Sequence, residues 1–108
     1  MNYRRLGKTE LMVSEVGFGG EWLDRHEFEE SVELIKYAGS KGINIIDCWM
    51  SDPKPRKIIG EAIHENRERW FIQGHIGSTW QDGQYVRTRD MNFVKPAFED
   101  LLTYLQTD

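Results

Sequence analysis

Two side chains that could exchange a proton with a substrate, those of Asp47 and His75, each close a short apolar segment of the sequence. If these segments are adjacent parallel strands of a barrel, both side chains lie at the end of the sheet where the fold places its chemistry. An aspartate–histidine pair there could donate a proton to a developing alkoxide, because histidine titrates near neutral pH. Asp47 could instead be a cap or turn residue, and His75 a structural histidine. We take both as candidate catalytic residues.

Three tryptophans are a second feature of the candidate site. Trp22, Trp49 and Trp80 each follow one of the segments that the sequence pattern predicts as strands, so they would face the same end of the sheet. Aromatic rings there could wall an apolar pocket for a substrate or for a nicotinamide ring. They could equally pack under loops. These tryptophans are the residues that we expect in a substrate pocket.

Other residues that suggest a function have a simpler structural interpretation. The segment from Gly17 to Gly20 lacks the third glycine of a GxGxxG motif and the GK[ST] of a P-loop, so a tight turn is the better interpretation. Asp52 precedes Pro53, and this pair is typical of a helix start rather than of a catalytic acid. Tyr85 could in principle act as an acid, but it lies in a predicted loop, so we do not take it as a catalytic residue. The histidines and the single cysteine show no metal-ligand spacing, so we predict no metal site.

The composition narrows the class of protein and its location. A net charge of −4 argues against a nucleic-acid partner, because phosphate binding requires clustered lysine and arginine. No apolar run approaches the ~20 residues that cross a bilayer, and the first residues lack the apolar region of a signal peptide. The lone Cys48 suits a reducing compartment. We therefore expect a cytoplasmic protein with no membrane and no nucleic-acid partner.

Alternation of strand-like and helix-like segments predicts an α/β fold with a parallel sheet. The segments are a hairpin at 3–6 and 11–14, a strand at 15–19, a helix at 27–41, a strand at 43–47, a helix that begins at 52–53, a strand at 70–74, a polar loop at 77–89 and a last helix that begins at 92–94. The side chains that this last helix is expected to bury are Ala97, Phe98, Leu101, Leu102 and Leu105. About three βα units are therefore present after the hairpin.

The same segments resemble the start of an aldo-keto reductase. Residues 3–9 and 13–19 are similar to the family's N-terminal hairpin and first barrel strand, and Gly42-Ile43-Asn44-Ile45-Ile46-Asp47 to its second strand. Residues 59–63, 70–72 and 98–108 are similar to the helix, the third strand and the helix that follow. The resemblance spans essentially the whole chain. It implies a (β/α)8 TIM-type barrel, an NAD(P)H cofactor, and carbonyl reduction by hydride transfer with acid catalysis.

The resemblance also assigns positions to the family's four catalytic residues, of which this sequence keeps one. Asp47 fills the aspartate position. The tyrosine position falls on Asp52, the lysine position falls on His75, and the histidine position would lie beyond Asp108. In the family, the cofactor phosphate is held mostly by segments well beyond this chain.

Two functional hypotheses follow. In the first, residues 1–108 are a single partial (β/α) barrel segment of an NAD(P)H-dependent oxidoreductase that acts on small carbonyl substrates, and they are not active alone. Cofactor contacts are then expected at Gly20, Trp22 and Asp47. In the second, the chain is a non-catalytic barrel segment that binds itself or another chain. Either way, about three parallel strands leave two unpaired edges, so we expect a homo-oligomer.

Overall fold

The computed structural model describes residues 1–49 and 51–108. The strands are β1 (Tyr3–Arg5), β2 (Met12–Ser14), β3 (Phe18–Gly19), β4 (Ile45–Cys48), β5 (Phe71–Gly74), β6 (Ser78–Gln81) and β7 (Gln84–Arg87). The helices are α1 (Phe28–Ser40), α2 (Pro53–Ile63) and α3 (Met91–Leu105), with 3₁₀ turns at Glu21–Arg25 and His64–Arg69. Within the described ranges, none of the helices combines the length and apolarity needed to span a bilayer.

The βα units build a three-stranded parallel sheet in the order β3-β4-β5. Ile46 of β4 pairs with Ile72 of β5, and Asp47 pairs with Gln73 on one side and Gly19 of β3 on the other. A helix connects each strand to the next, which is how parallel strands are usually joined. The sheet has two edges, β3 and β5, and is not closed. The predicted hairpin followed by an incomplete α/β barrel is therefore confirmed.

The hydrophobic core lies between this sheet and the helices. Side chains alternate along β4, so Ile46 and Cys48 are buried in the core. Ile45 and Asp47 are half-buried on the opposite face, which we call the open face of the sheet. The other members of the core cluster are Leu23, Val32, Ile35, Ile58, Ile59, Ala62, Ile63, Trp70, Leu101 and Leu105. Fully burying one isoleucine side chain contributes about 1.5–3 kcal/mol, so this one-sided cluster holds the helices on the sheet.

Two aspartates fix the starts of the helices that follow β4 and β7. Asp52 caps α2 by accepting a hydrogen bond from the Lys54 backbone N–H at 2.9 Å, and Pro53 occupies the first turn, as predicted. Asp90 caps α3 in the same way through the N–H of Asn92, also at 2.9 Å. Such a cap typically contributes about 1 kcal/mol. The side chain of Asp52 is thus committed to the helix start.

The segment 77–89, predicted as a polar loop, is instead a β-hairpin formed by β6 and β7. Its turn residues Asp82 and Gly83 both have positive φ, at 50° and 75°. Two successive left-handed residues define a type I′ turn, for which Asp-Gly is a preferred sequence. The sequence shows no alternation of apolar and polar residues here, because the buried positions of β6 are Ser78 and Thr79.

The last helix buries fewer apolar side chains than predicted. Its buried side chains are Val94, Leu101 and Leu105. Phe98 is instead 45% exposed, and Ala97 and Leu102 are only half-buried. The sheet ends at β5, so no further strand of the described chain lies beside β5 to cover this side of α3.

Candidate active site

The side chains of Asp47 and His75 meet at the carboxyl end of the parallel sheet. Asp47 lies in β4, and His75 directly follows β5, the neighbouring strand. The Nε2 atom of His75 lies 2.7 Å from the Oδ1 atom of Asp47. The two side chains are 34% and 37% exposed, so solvent or a substrate can reach the pair. The geometric expectation that both residues lie at one end of adjacent parallel strands is confirmed.

The hydrogen bond with Asp47 determines which imidazole nitrogen carries a proton. A carboxylate only accepts hydrogen bonds, so Nε2 of His75 is the donor. The side-chain amide of Gln73 lies 3.3 Å from the same nitrogen. The Gln73 atom at this distance is its amide nitrogen, which cannot donate to a protonated Nε2, so the hydrogen bond that holds the ring is the one to Asp47. Asp47 thereby orients the ring and directs Nδ1 away from itself.

Gly20 holds β3 against the strand that carries Asp47. Its N–H donates to the carbonyl oxygen of Asp47 at 2.9 Å. A Cβ atom at this position would lie 2.7 Å from that oxygen and 2.9 Å from Cδ1 of Ile59. Both distances are too short for a side chain, so this approach of the backbone requires glycine. Gly20 therefore has a packing reason to be glycine that is independent of any phosphate loop.

The three tryptophans lie in three different environments. Trp22, in the 3₁₀ turn after β3, is 53% exposed and carries the Arg25 guanidinium 3.6 Å from its ring centroid. Trp49 stacks on Tyr85 of β7, with centroids 5.7 Å apart and planes inclined by 16°. Trp80 of β6 lines a separate cavity of about 270 Å³ beside α3. The expectation that tryptophans form a substrate pocket stays a prediction, and Trp49 is the one nearest in sequence to the Asp47 strand end.

A cavity of about 340 Å³ opens beside His75, and most of the residues in its walls were not predicted as site residues from the sequence. The side chains that shape this His75 cavity include those of Trp49, His75, Ile76, Tyr85, Arg87 and Arg89. The β6–β7 hairpin supplies several of these residues by folding back over the strand end. The Asp-Gly turn at 82–83 was the sequence signal that could have revealed the hairpin, and with it this wall.

On the opposite face of β4, the Cys48 thiol and the Arg56 guanidinium are buried together, each 2% exposed. Burial raises the pKa of the Cys48 thiol to about 11, against a smaller opposing effect of the positive charge on Arg56. Burial also lowers the pKa of the Arg56 guanidinium, which donates a hydrogen bond to the Ala97 carbonyl at 3.4 Å. Arg56 thus ties α2 to α3 behind the site.

Among the described residues, no cluster of histidine, cysteine, aspartate and glutamate is placed to hold a metal ion.

Comparisons with known proteins identify the class of fold to which this site belongs. No family profile matches the chain. YqkF, an uncharacterized oxidoreductase of Bacillus subtilis strain 168, is 31% identical over 112 aligned positions, which cover 100% of this chain and 36% of that protein. Two solved structures from Pseudomonas aeruginosa, described as aldo-keto reductases, are 30% identical and have TM-scores of 0.82 and 0.83. They are matched over 98% of this chain and over 42% and 43% of their own length.

A third solved structure supports the fold alone. The glycerol dehydrogenase of Gluconobacter oxydans matches 98% of this chain and 36% of its own length, with a TM-score of 0.80 and 21% identity. The chain thus spans between 36% and 43% of the length of these relatives. By sequence and by fold the chain is similar to a segment of the aldo-keto reductase barrel. It corresponds to the N-terminal part of that barrel.

Proposed function

We propose that this chain supplies the proton-donating part of the active site of an NAD(P)H-dependent oxidoreductase that reduces small carbonyl compounds. The observation that carries the proposal is the 2.7 Å contact between His75 and Asp47. It occurs at the carboxyl end of adjacent parallel strands, where barrel enzymes place their catalytic groups. The proposal also places the protein in the cytoplasm, for which the free, buried Cys48 is the supporting observation.

His75 is the proposed proton donor. In its protonated form the ring has an N–H at each nitrogen, and Nε2–H is held by Asp47. The Nδ1–H is then the donor for a substrate carbonyl oxygen, which gains negative charge as its carbon is reduced and takes up the proton to become a hydroxyl. Asp47 keeps the ring oriented through this contact. Asp52 is unsuited to the same task because it caps α2.

The residues near the strand ends fit the nicotinamide end of a cofactor better than its phosphates. NAD(P)H, when bound, supplies the hydride of the reduction. Trp22 offers an exposed aromatic surface, and the carboxylate of Asp47 is accessible on the open face of the sheet. Both could contact the nicotinamide end. Gly20 is packed against the Asp47 carbonyl, and in the proposed site it shapes the floor rather than cradling a phosphate.

Substitutions at the pair, made in the gene product, test this proposal. His75→Gln removes the proton donor, so carbonyl-dependent NADPH oxidation should fall by roughly 10²-fold or more. Asp47→Asn should lower it as well, with the larger change in kcat, because an amide oxygen is a weaker acceptor than a carboxylate and the amide can also turn its NH₂ group toward the ring. His64→Gln is the matched control: that ring contacts the Glu61 carbonyl at the end of α2 and lies outside the proposed site. Full activity in His75→Gln would contradict the assignment.

A non-catalytic role in assembly is the second candidate, and a different observation favours it. No strand of the described residues pairs with the outer edge of β5, and Ile76 and Phe98 beside it are 71% and 45% exposed. We propose that this edge also makes the chain self-associate. If the His75 and Asp47 variants leave every measured activity unchanged while changes at this edge abolish association, the assembly role is the better description.

A further inference from the structure

We propose that the His75 cavity binds the anionic group of a small carbonyl substrate, a carboxylate or a phosphate ester, through Arg87 and Arg89. This inference rests on the proposed function and adds a substrate class to it. The cavity of about 340 Å³ lies at the lower end of the size range of small-molecule sites. It therefore suits a compound of a few carbon atoms.

The charge of the cavity wall is the first argument. The chain as a whole carries a net charge of −4. The described residues that line the cavity nevertheless include two arginines and a histidine, and no aspartate or glutamate. Among the described residues, neither Arg87 nor Arg89 forms an ion pair with a carboxylate. Guanidinium groups are well suited to bind carboxylates and phosphates, often in a bidentate manner.

The second argument is that hydrogen bonds hold the end of the β6–β7 hairpin, which carries both arginines, in place. Thr88, between the two arginines, donates its backbone N–H to the Gly77 carbonyl oxygen at 2.9 Å. The Thr88 hydroxyl accepts from the N–H of Asp90, the residue that caps α3. These bonds hold the backbone that carries both arginines at the cavity, so less ordering is needed when an anion binds.

The remaining walls are the third argument, because they match the rest of such a substrate. The stacked rings of Trp49 and Tyr85 add aromatic edges to a wall that is otherwise mostly polar. His75 lines the same cavity and is hydrogen-bonded to Asp47. An anion held by the arginines would therefore place a nearby carbonyl group in the same cavity as the proposed proton donor.

Calorimetric titration of the chain without cofactor tests this inference separately from catalysis. The probes are 2-oxobutanoate, its neutral counterpart butanone, dihydroxyacetone phosphate and inorganic phosphate. We expect saturable binding of either or both anionic carbonyl compounds, at least about tenfold tighter than that of butanone, and weakening as salt is added. Binding of the oxo acid alone assigns the anion as a carboxylate, and binding of the phosphate ester alone assigns it as a phosphate. Inorganic phosphate binding as tightly as both carbonyl compounds would overturn the claim that a carbonyl substrate is recognised.

Arginine variants complete the test. Arg87→Gln and Arg89→Gln should each weaken binding of the anionic probe by about tenfold, since a charge-assisted hydrogen bond is lost. Arg5→Gln, in the other hairpin, is the matched control and should bind normally. Thermal unfolding of each variant shows that the fold is intact. Equal binding of 2-oxobutanoate and butanone, or unchanged binding in both cavity variants, would overturn the inference. If His75→Gln loses reduction but keeps anion binding, the two proposals are separated.

Discussion

Asp47 and Cys48 are adjacent residues of β4, yet the pleat of the strand places them in opposite environments. The Asp47 carboxylate is half-exposed on the open face and holds the His75 ring. The Cys48 thiol is buried on the helix side beside Arg56. A register shift of one residue would exchange the two environments, so the packing of Ile46 and Cys48 also orients the proposed site.

The buried thiol predicts a measurable pH dependence of stability. The pKa of Cys48 rises from its ordinary value of 9.0 to about 11 in the folded chain. A group whose pKa is raised on folding contributes stability that is complete below the unfolded pKa and is lost as the pH rises through the folded pKa. The free energy of unfolding should therefore fall by about 2 kcal/mol more in the parent chain than in Cys48→Ala between pH 9 and 11. Urea unfolding across that window gives the comparison, and identical slopes for the two chains would contradict it.

At the scale of elements, helices and buried strands were predictable from the sequence, whereas the walls of the cavity were not. Apolar spacing places Val32 and Ile35 in α1, and the β-branched run ending at Asp47 is a parallel strand. The meeting of Asp47 and His75 followed from the rule for strand ends. The Trp49–Tyr85 stack depends instead on a polar hairpin that folds back over the strand end. The residues next to Trp49 and Tyr85 in the sequence do not predict that contact.

The contact between α2 and α3 yields a prediction at this scale. A Cβ atom on Gly60 of α2 would overlap the Tyr104 carbonyl oxygen and lie 3.1 Å from the Leu105 Cα atom. These are backbone atoms, which cannot move aside as the end of a side chain can. Gly60→Ala should therefore lower the free energy of unfolding by about 1–3 kcal/mol, although alanine is the better helix former. Gly19→Ala is the control, because a Cβ there meets no atom within 4 Å. A Gly60→Ala chain as stable as the parent in urea would refute this close contact.

For the whole molecule, the share of the relatives that the chain covers leads to a prediction about the cofactor. The chain matches 36–43% of their length, and resemblance to the family places most of the phosphate-binding groups outside the matched segment. The 108-residue chain alone should therefore show no saturable binding of NADPH at micromolar concentration. Quenching of the fluorescence of its four tryptophans is a direct measurement. The Trp22→Phe chain shows whether any quenching comes from the exposed ring nearest to β3, and a micromolar dissociation constant would disprove the prediction.

The open sheet also predicts that the 108-residue chain self-associates. A closed barrel needs eight strands and about 250 residues, and closure is what removes sheet edges. Here β3 and β5 remain edges, and Ile45 and Phe71 on the open face are only half-buried. Leaving a few hundred Å² of apolar surface exposed costs several kcal/mol at roughly 25 cal/mol per Å², which is comparable with the whole stability of a small domain.

The β5 edge is the surface where this association should occur. Ile76 follows β5 and is 71% exposed, and it lies in one apolar depression with Met91 and Phe98 of α3. A lysine at Ile76 or Phe98 would bring a charge into any contact formed there, so each substitution should shift the chain from oligomer to monomer. Leu34→Lys is the matched control, because Leu34 is 50% exposed on α1 and does not line this depression. Multi-angle light scattering on the parent and the three variants measures the mass of each species. A parent chain that is a monodisperse, cooperatively folding 12.7 kDa monomer would contradict the prediction, because its open face and edges would then be stable in water without a partner.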